Sequence, residues 1–158
     1  MAYMSSDSFG INQGAQDCFL CAHASAEDEE AAHVVHKAGH SFVVLNAYPY
    51  NTGHVMIAPN RHVGELDALE AEERTELMDL VTRATVVIKE AMNAQGFNMG
   101  INQGVAAGAG VPGHLHIHVV PRWGGDTNFM PVVGETKVLP EMLTDTYAKL
   151  RPGFSRER

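Results

Sequence analysis

The sequence predicts an α+β protein: a mainly antiparallel five-stranded sheet with one long helix and a short C-terminal helix. Three patterns carry this expectation. Short β-branched runs follow one another early in the chain, one long stretch repeats its apolar residues near a 3.6 period, and a late run alternates histidine with apolar residues. Strands that succeed one another, with a single long helix between the third and fourth, favour antiparallel pairing.

Residues 1–16 are small and polar and are expected to form a flexible arm. The run Glu27, Asp28, Glu29 and Glu30 suits a solvated acidic turn. His33–His36 and Ser41–Leu45 read as a hairpin about Lys37-Ala38-Gly39. The turn formers Tyr48-Pro49-Tyr50-Asn51-Thr52-Gly53 precede a third strand, His54–Ala58, which Pro59 stops. Asp67 is placed to cap the long helix, with Glu70 at capping-box spacing. Leu69, Leu77, Leu80, Val81, Ala84, Val87, Ile88 and Met92 give that helix one buried stripe, and Gly96 is a natural stop. A fourth strand, Phe97–Asn102, runs into a loop rich in glycine and alanine at 104–113, and the histidine run follows. Pro140–Leu150 reads as the short C-terminal helix and Arg151–Arg158 as a frayed end. The expected organisation is an arm at 1–16, one domain at 17–151 and a tail at 152–158; a chain of 158 residues has room for one real core.

Composition narrows the function. Apolar residues at 45% and charged residues at 19% fit a soluble globular protein, and no apolar run approaches the length of a membrane span. The first residues lack the apolar segment of a signal peptide, so the cytoplasm is the expected compartment. A net charge of −8 argues against a nucleic-acid partner bound through a broad basic surface. An anionic small molecule stays compatible with a pocket rich in backbone N–H groups.

His114-Leu115-His116-Ile117-His118-Val119-Val120 is the densest chemical signal in the chain. Alternation at period 2 sends three imidazoles to one face of a strand and Leu115, Ile117 and Val119 into a core. At a rise of roughly 3.3 Å per residue, neighbouring histidines stand roughly 7 Å apart at Cα. That spacing lets them act together on one small group or one metal. Imidazole, with an ordinary pKa of about 6.5, is largely neutral and nucleophilic at pH 7. His116 has partners on both sides and is the best-placed nucleophile, with His118 set to stabilise developing charge and His114 completing the catalytic group. In the loop before them, Gly108 and Gly110 permit the backbone angles that turn N–H groups inward around a phosphate. Two competing expectations are a hydrolase whose three histidines share one catalytic metal and a nucleotide-binding module with little turnover. Cys18 and Cys21 form a C-x-x-C pair, which points to metal or redox chemistry rather than a structural disulfide.

The pattern H-φ-H-φ-H-φ-φ, with φ apolar, resembles the signature of the histidine triad (HIT) family of nucleotide hydrolases and transferases, and this chain satisfies it at every position. The similarity runs from about Cys18 to Trp123. It implies a HIT-like fold, a homodimer with two sheets joined, and two-step nucleotidyl transfer at an α-phosphorus through a covalent adduct on His116. The implied substrate is a nucleotide or a dinucleoside polyphosphate such as diadenosine tetraphosphate. The resemblance further implies that Asn46 grips the ribose hydroxyls and that Asn102 or Gln103 meets the α-phosphate. Arg122 and Trp123 would serve as phosphate partner and stacking platform. It also implies structural zinc on Cys18, Cys21, His62 and His114, tying the N-terminal segment to the catalytic strand. His54, in Gly-His-Val-Met-Ile, is expected to be a packed supporting residue, while His23, His33, His36 and His40 follow no pattern. Histidine at the third triad position disfavours the uridylyltransferase branch. The phosphorylase branch usually places glutamine where Ile117 stands, so hydrolysis is the expected reaction, with phosphorolysis or phosphoramidate cleavage as alternatives.

Overall fold

The computed structural model describes residues 14–126 and 141–156. After a single 3-10 turn at Ala15–Asp17 come helix α1 (Phe19–Ser25) and strands β1 (Val34–Lys37), β2 (Ser41–Leu45) and β3 (Val55–Pro59). The long helix α2 (Ala71–Met92) leads to β4 (Gly96–Ile101), a 3-10 turn at Val105–Ala107, β5 (Ile117–Arg122) and helix α3 (Leu143–Ser155). The sheet has five strands in the order β1-β2-β3-β5-β4, and every neighbouring pair is antiparallel. The predicted architecture is therefore the observed one.

Side-chain alternation builds a core on each face. Val35, Val43, Leu45, Val55, Ile57, Leu115, Ile117 and Val119 pack with α2 and with Tyr147, Leu150 and Phe154 of α3. Val34, Phe42, Val44, Met56 and Ala58 meet Cys18, Leu20 and Val111 on the other face. The catalytic candidates share this second face, where His118 pairs with Met56 across the β3–β5 ladder. Among the described residues, no helix is long and apolar enough to cross a membrane.

Several boundaries differ from expectation for local reasons. Glu70, not Asp67, caps α2, in a capping box with Glu73. Leu66–Ala68 forms a 3-10 turn that buries Leu69, and Arg61 ties Ala68 O to the Glu73 carboxylate, so helical register starts only at Ala71. At the other end, Asn93 adopts the left-handed conformation and caps the helix, and Gly96 instead begins β4. Regular pairing in the histidine run starts at Ile117, so His118 alone of the three lies in the ladder. Helix α3 continues through Pro152 to Ser155 rather than fraying after Leu150. Phe154 is fully buried there, and a Cβ on Gly153 would stand 2.6 Å from Val87, so this turn fits closely against α2. Glu29 in the acidic turn reaches back to pair with Arg151 at 2.7 Å. Residues 1–13 of the expected arm, Pro140 of the expected helix and the last two residues of the expected tail lie outside the described residues.

Candidate functional site

The three histidines of the run have different partners. His114 is fully buried: its Nε2 donates to Pro59 O at 2.8 Å, and its Nδ1 lies 3.4 Å from both Cys18 Sγ and Cys21 Sγ. His62 Nδ1 stands 3.3 Å from Cys21 Sγ. Two thiols and two imidazole nitrogens thus gather within 4.8 Å of one another, from α1 and the residue just before it, the segment after β3 and the approach to β5. Zn–S and Zn–N bonds of about 2.3 and 2.0 Å at tetrahedral angles place neighbouring sulfur and nitrogen donors about 3.5 Å apart. The donor set and spacing fit a closed zinc site. Burial, reinforced by the neighbouring Cys18, pushes the Cys21 thiol up to about 11, and a divalent cation would offset that penalty. Both ring nitrogens of His114 are committed here, which leaves it none for a metal shared with His116 and His118. The competing three-histidine catalytic metal therefore loses its geometry.

His116 and His118 form the second group, with ring centroids 4.8 Å apart. The His116 Nδ1 lies 2.9 Å from His114 O. A carbonyl only accepts, so Nδ1 carries the proton and Nε2 is left with its lone pair. His54 Nε2 lies 2.9 Å from His118 Nδ1, and the Tyr50 backbone N–H donates to His54 Nδ1 at 3.1 Å. An N–H only donates, so His54 Nδ1 accepts, Nε2–H donates to His118, and neutral His118 carries its own proton on Nε2. One ring offers a lone pair and its neighbour an N–H. Burial holds all three histidines of the run below the ordinary imidazole range: His118 at about 4, with His116 as the second cause; His116 lowered against its bond to His114 O; and His114 at about 4.

The other expected site residues divide into those near the pair and those committed to the protein. Asn46 accepts from the Tyr48 N–H through Oδ1 and holds Nδ2 3.4 Å from His54 Nδ1. Gln103 donates to Glu65 and accepts from the Leu66 N–H, and so anchors the base of the glycine loop. In that loop Gly104 and Gly108 take positive φ, as expected of a nest, but the Gly108 N–H is used internally on Val105 O. Asn102 is half-buried beside Gln103, and Gly110 lies at the end of the loop. Arg122 makes a two-pronged pair with Asp126, with both contacts at 2.7 Å, and also donates to Asn98 Oδ1. The carboxyl of Asp126 is held well below the usual range, first by Arg122 and then by the Trp123 N–H. Trp123 packs on the main core and donates its indole N–H to Met92 O. Sequence reasoning missed Asn51, whose amide donates to Pro121 O and Asp126; only the i,i+4 spacing of Arg122 and Asp126 hinted at this cluster.

A family model described as the HIT domain matches residues 27–125. The chain belongs to the HIT domain family. Relatives of this HIT domain include an AP-4-A phosphorylase of Mycobacterium tuberculosis, 46% identical over 130 residues that make up 82% of this chain and 66% of that protein. The chain thus spans just under two thirds of that relative's length. A Bis(5'-nucleosyl)-tetraphosphatase [asymmetrical] of Schizosaccharomyces pombe is 39% identical over 52% of this chain and 44% of its own. Among solved structures, a Zn-bound histidine triad family protein from Mycobacterium smegmatis superposes with a TM-score of 0.74 at 25% identity, covering 90% of this chain and 96% of that one.

The burial of His118 has a measurable consequence. Its imidazole should titrate by NMR with a midpoint near pH 4 rather than the ordinary 6.5. Because the folded-state value is the lower one, the unfolded chain takes up this proton first as pH falls. The residue's contribution to stability is then complete above about 6.5 and lost towards 4. A midpoint at or above 6.5 would contradict the desolvated environment.

Proposed function

We propose that this HIT domain protein splits a dinucleoside polyphosphate at an α-phosphate through a covalent nucleotidyl adduct on His116. The observation that supports this is the pairing of a lone pair on His116 Nε2 with a proton on His118 Nε2, each set by a backbone group. In the first step His116 Nε2 attacks the α-phosphorus. A P–N bond forms as the P–O bond to the leaving nucleotide breaks, and His118, neutral throughout, donates a hydrogen bond from Nε2–H to the leaving oxygen, which departs with the bonding pair as a phosphate anion. The positive charge that the new bond confers on His116 is met by the carbonyl of His114, which accepts from Nδ1. In the second step an acceptor oxygen attacks the same phosphorus, the P–N bond breaks to return the lone pair to His116, and the acceptor's proton passes to solvent. Asn102 is assigned to the α-phosphate because the amide of Gln103 is already committed to Glu65 and Leu66.

For the acceptor, the expectation of water depended on Ile117. That side chain is buried in the main core, on the sheet face opposite the pair, and cannot touch an acceptor. The M. tuberculosis relative, named a phosphorylase, favours inorganic phosphate. Water is the second reading, favoured by the S. pombe relative, named a tetraphosphatase. His116→Ala should lower turnover of diadenosine tetraphosphate by several orders of magnitude and leave nucleotide affinity near wild type, because a nucleophile acts in the transition state. Substantial residual turnover would remove the assignment. Product analysis with and without phosphate separates the acceptors: ADP formed only with phosphate marks phosphorolysis, and AMP formed despite phosphate marks water.

Zinc is proposed on Cys18, Cys21, His62 and His114, where its chemistry is that of a structural cross-link with thiolate ligands. Metal analysis of protein prepared without chelators should find about one zinc per chain, and Cys21→Ser should lose it with a fall in melting temperature. Full zinc retention in that variant would exclude the cysteines as ligands.

A homodimer is proposed through β4, an edge strand with Met99 and Ile101 exposed. Light scattering at micromolar concentration should give twice the chain mass; the monomer mass would refute it.

A further inference from the structure

We propose that Asn51 and Asp126 form a clasp that keeps His118 in the tautomer able to donate from Nε2. The inference rests on the reading of His118 as hydrogen-bond donor to the leaving group. Both residues are positioning residues, acting through a relay of hydrogen bonds.

The relay can be followed atom by atom. Arg122 and the Trp123 N–H hold the Asp126 carboxylate at the end of β5. Asn51 Nδ2 donates to that carboxylate at 2.8 Å and to Pro121 O at 3.1 Å, which ties the β2–β3 loop to the catalytic strand. The loop is also closed on itself, by Asn46 N–H to His54 O and His54 N–H to Asn51 O. These anchors place the Tyr50 N–H on His54 Nδ1, while the Tyr50 ring lies over the His54 ring at 5.0 Å, nearly parallel. Asn46 Nδ2 is a second, longer donor to the same nitrogen at 3.4 Å. With Nδ1 occupied as an acceptor, His54 keeps its proton on Nε2 and gives it to His118 Nδ1.

If the loop withdraws, the alternative costs no net proton. His54 then carries its proton on Nδ1 and accepts at Nε2, and His118 donates from Nδ1. His118 now turns a lone pair towards the leaving oxygen. Both rings stay neutral, yet the site has two lone pairs and no donor. An uncharged amide on the protein surface thus selects between a competent and an incompetent pair of tautomers.

The test uses the full chain with Asn51→Ala, Asp126→Ala and the double variant, and reads the imidazole 15N shifts of His118 with diadenosine tetraphosphate kinetics. Asn51→Ala should convert His118 from its Nε2–H form to a mixture. Each single variant should lower kcat about tenfold, a part of the roughly 10²–10³ that one hydrogen-bond donor to developing charge contributes, with KM little changed. The double variant should be no slower than the worse single one, because the two residues act as one unit. Unchanged His118 shifts in folded Asn51→Ala, a loss confined to KM, or multiplying losses would each overturn the proposal. Asp126→Asn replaces the alanine variant if that one does not fold. His118→Ala separates the two readings: undiminished turnover there refutes His118 as the donor, while the shifts in Asn51→Ala still report on the clasp.

Discussion

A backbone carbonyl can only accept a hydrogen bond and a backbone N–H can only donate, and the proton inventory of this site depends on that asymmetry. His114 O decides which nitrogen of His116 is bare, and the Tyr50 N–H decides, through His54, which nitrogen of His118 is not. No side-chain charge is needed for either choice. Two imidazoles in near contact would otherwise be interchangeable, each sampling both tautomers. Main-chain groups at fixed positions break that equivalence, one from the β2–β3 loop and one from the approach to β5.

The Cys18, Cys21, His62 and His114 cluster acts on the same strand from behind. His114 provides the carbonyl that orients His116, and its own ring is held by Pro59 O on one side and the cysteines on the other. Any group that tightens the cluster also tightens that carbonyl. Gly64 adds a steric condition nearby: a Cβ there would come within 2.4 Å of Pro112 O, just before the histidine run. Gly64 and the buried Cys/His cluster together hold the backbone beside His116 to a narrow range of positions.

Much of this was legible in the sequence because it depends on periodicity and on residue types with few uses. Alternation of Leu115, Ile117 and Val119 with the histidines sends the first set into the core and brings the rings of His116 and His118 together, while the ring of His114 turns to the cysteines. The C-x-x-C spacing of Cys18 and Cys21 points to metal or redox chemistry by itself, whereas His62 and His114, far away in sequence, enter only through the family resemblance; the four do converge. What was not legible depends on where a polar side chain finds its partner. Arg122, Trp123 and Gln103 carry groups suited to a nucleotide, but they are engaged with Asp126, Met92 and Glu65. The helix ends went astray for the same reason: Arg61 and Asn93 set boundaries that Asp67 and Gly96 suggested elsewhere.

The strand order carries a consequence for how the chain folds. Strand β5 is the last of the five in sequence, yet it lies between β3 and β4. The sheet therefore cannot zip up in the order in which its strands leave the ribosome. Until residues 117–122 arrive, β3 presents an open hydrogen-bonding edge and β4 has no neighbour in the sheet. Pairing β5 with β3 closes a loop that contains all of α2, a long-range contact of the kind that slows folding and prolongs exposure of strand edges. The segment that carries the three alternating histidines is also the keystone of the sheet, so a chain truncated before it lacks the partner for two strands as well as His116 and His118.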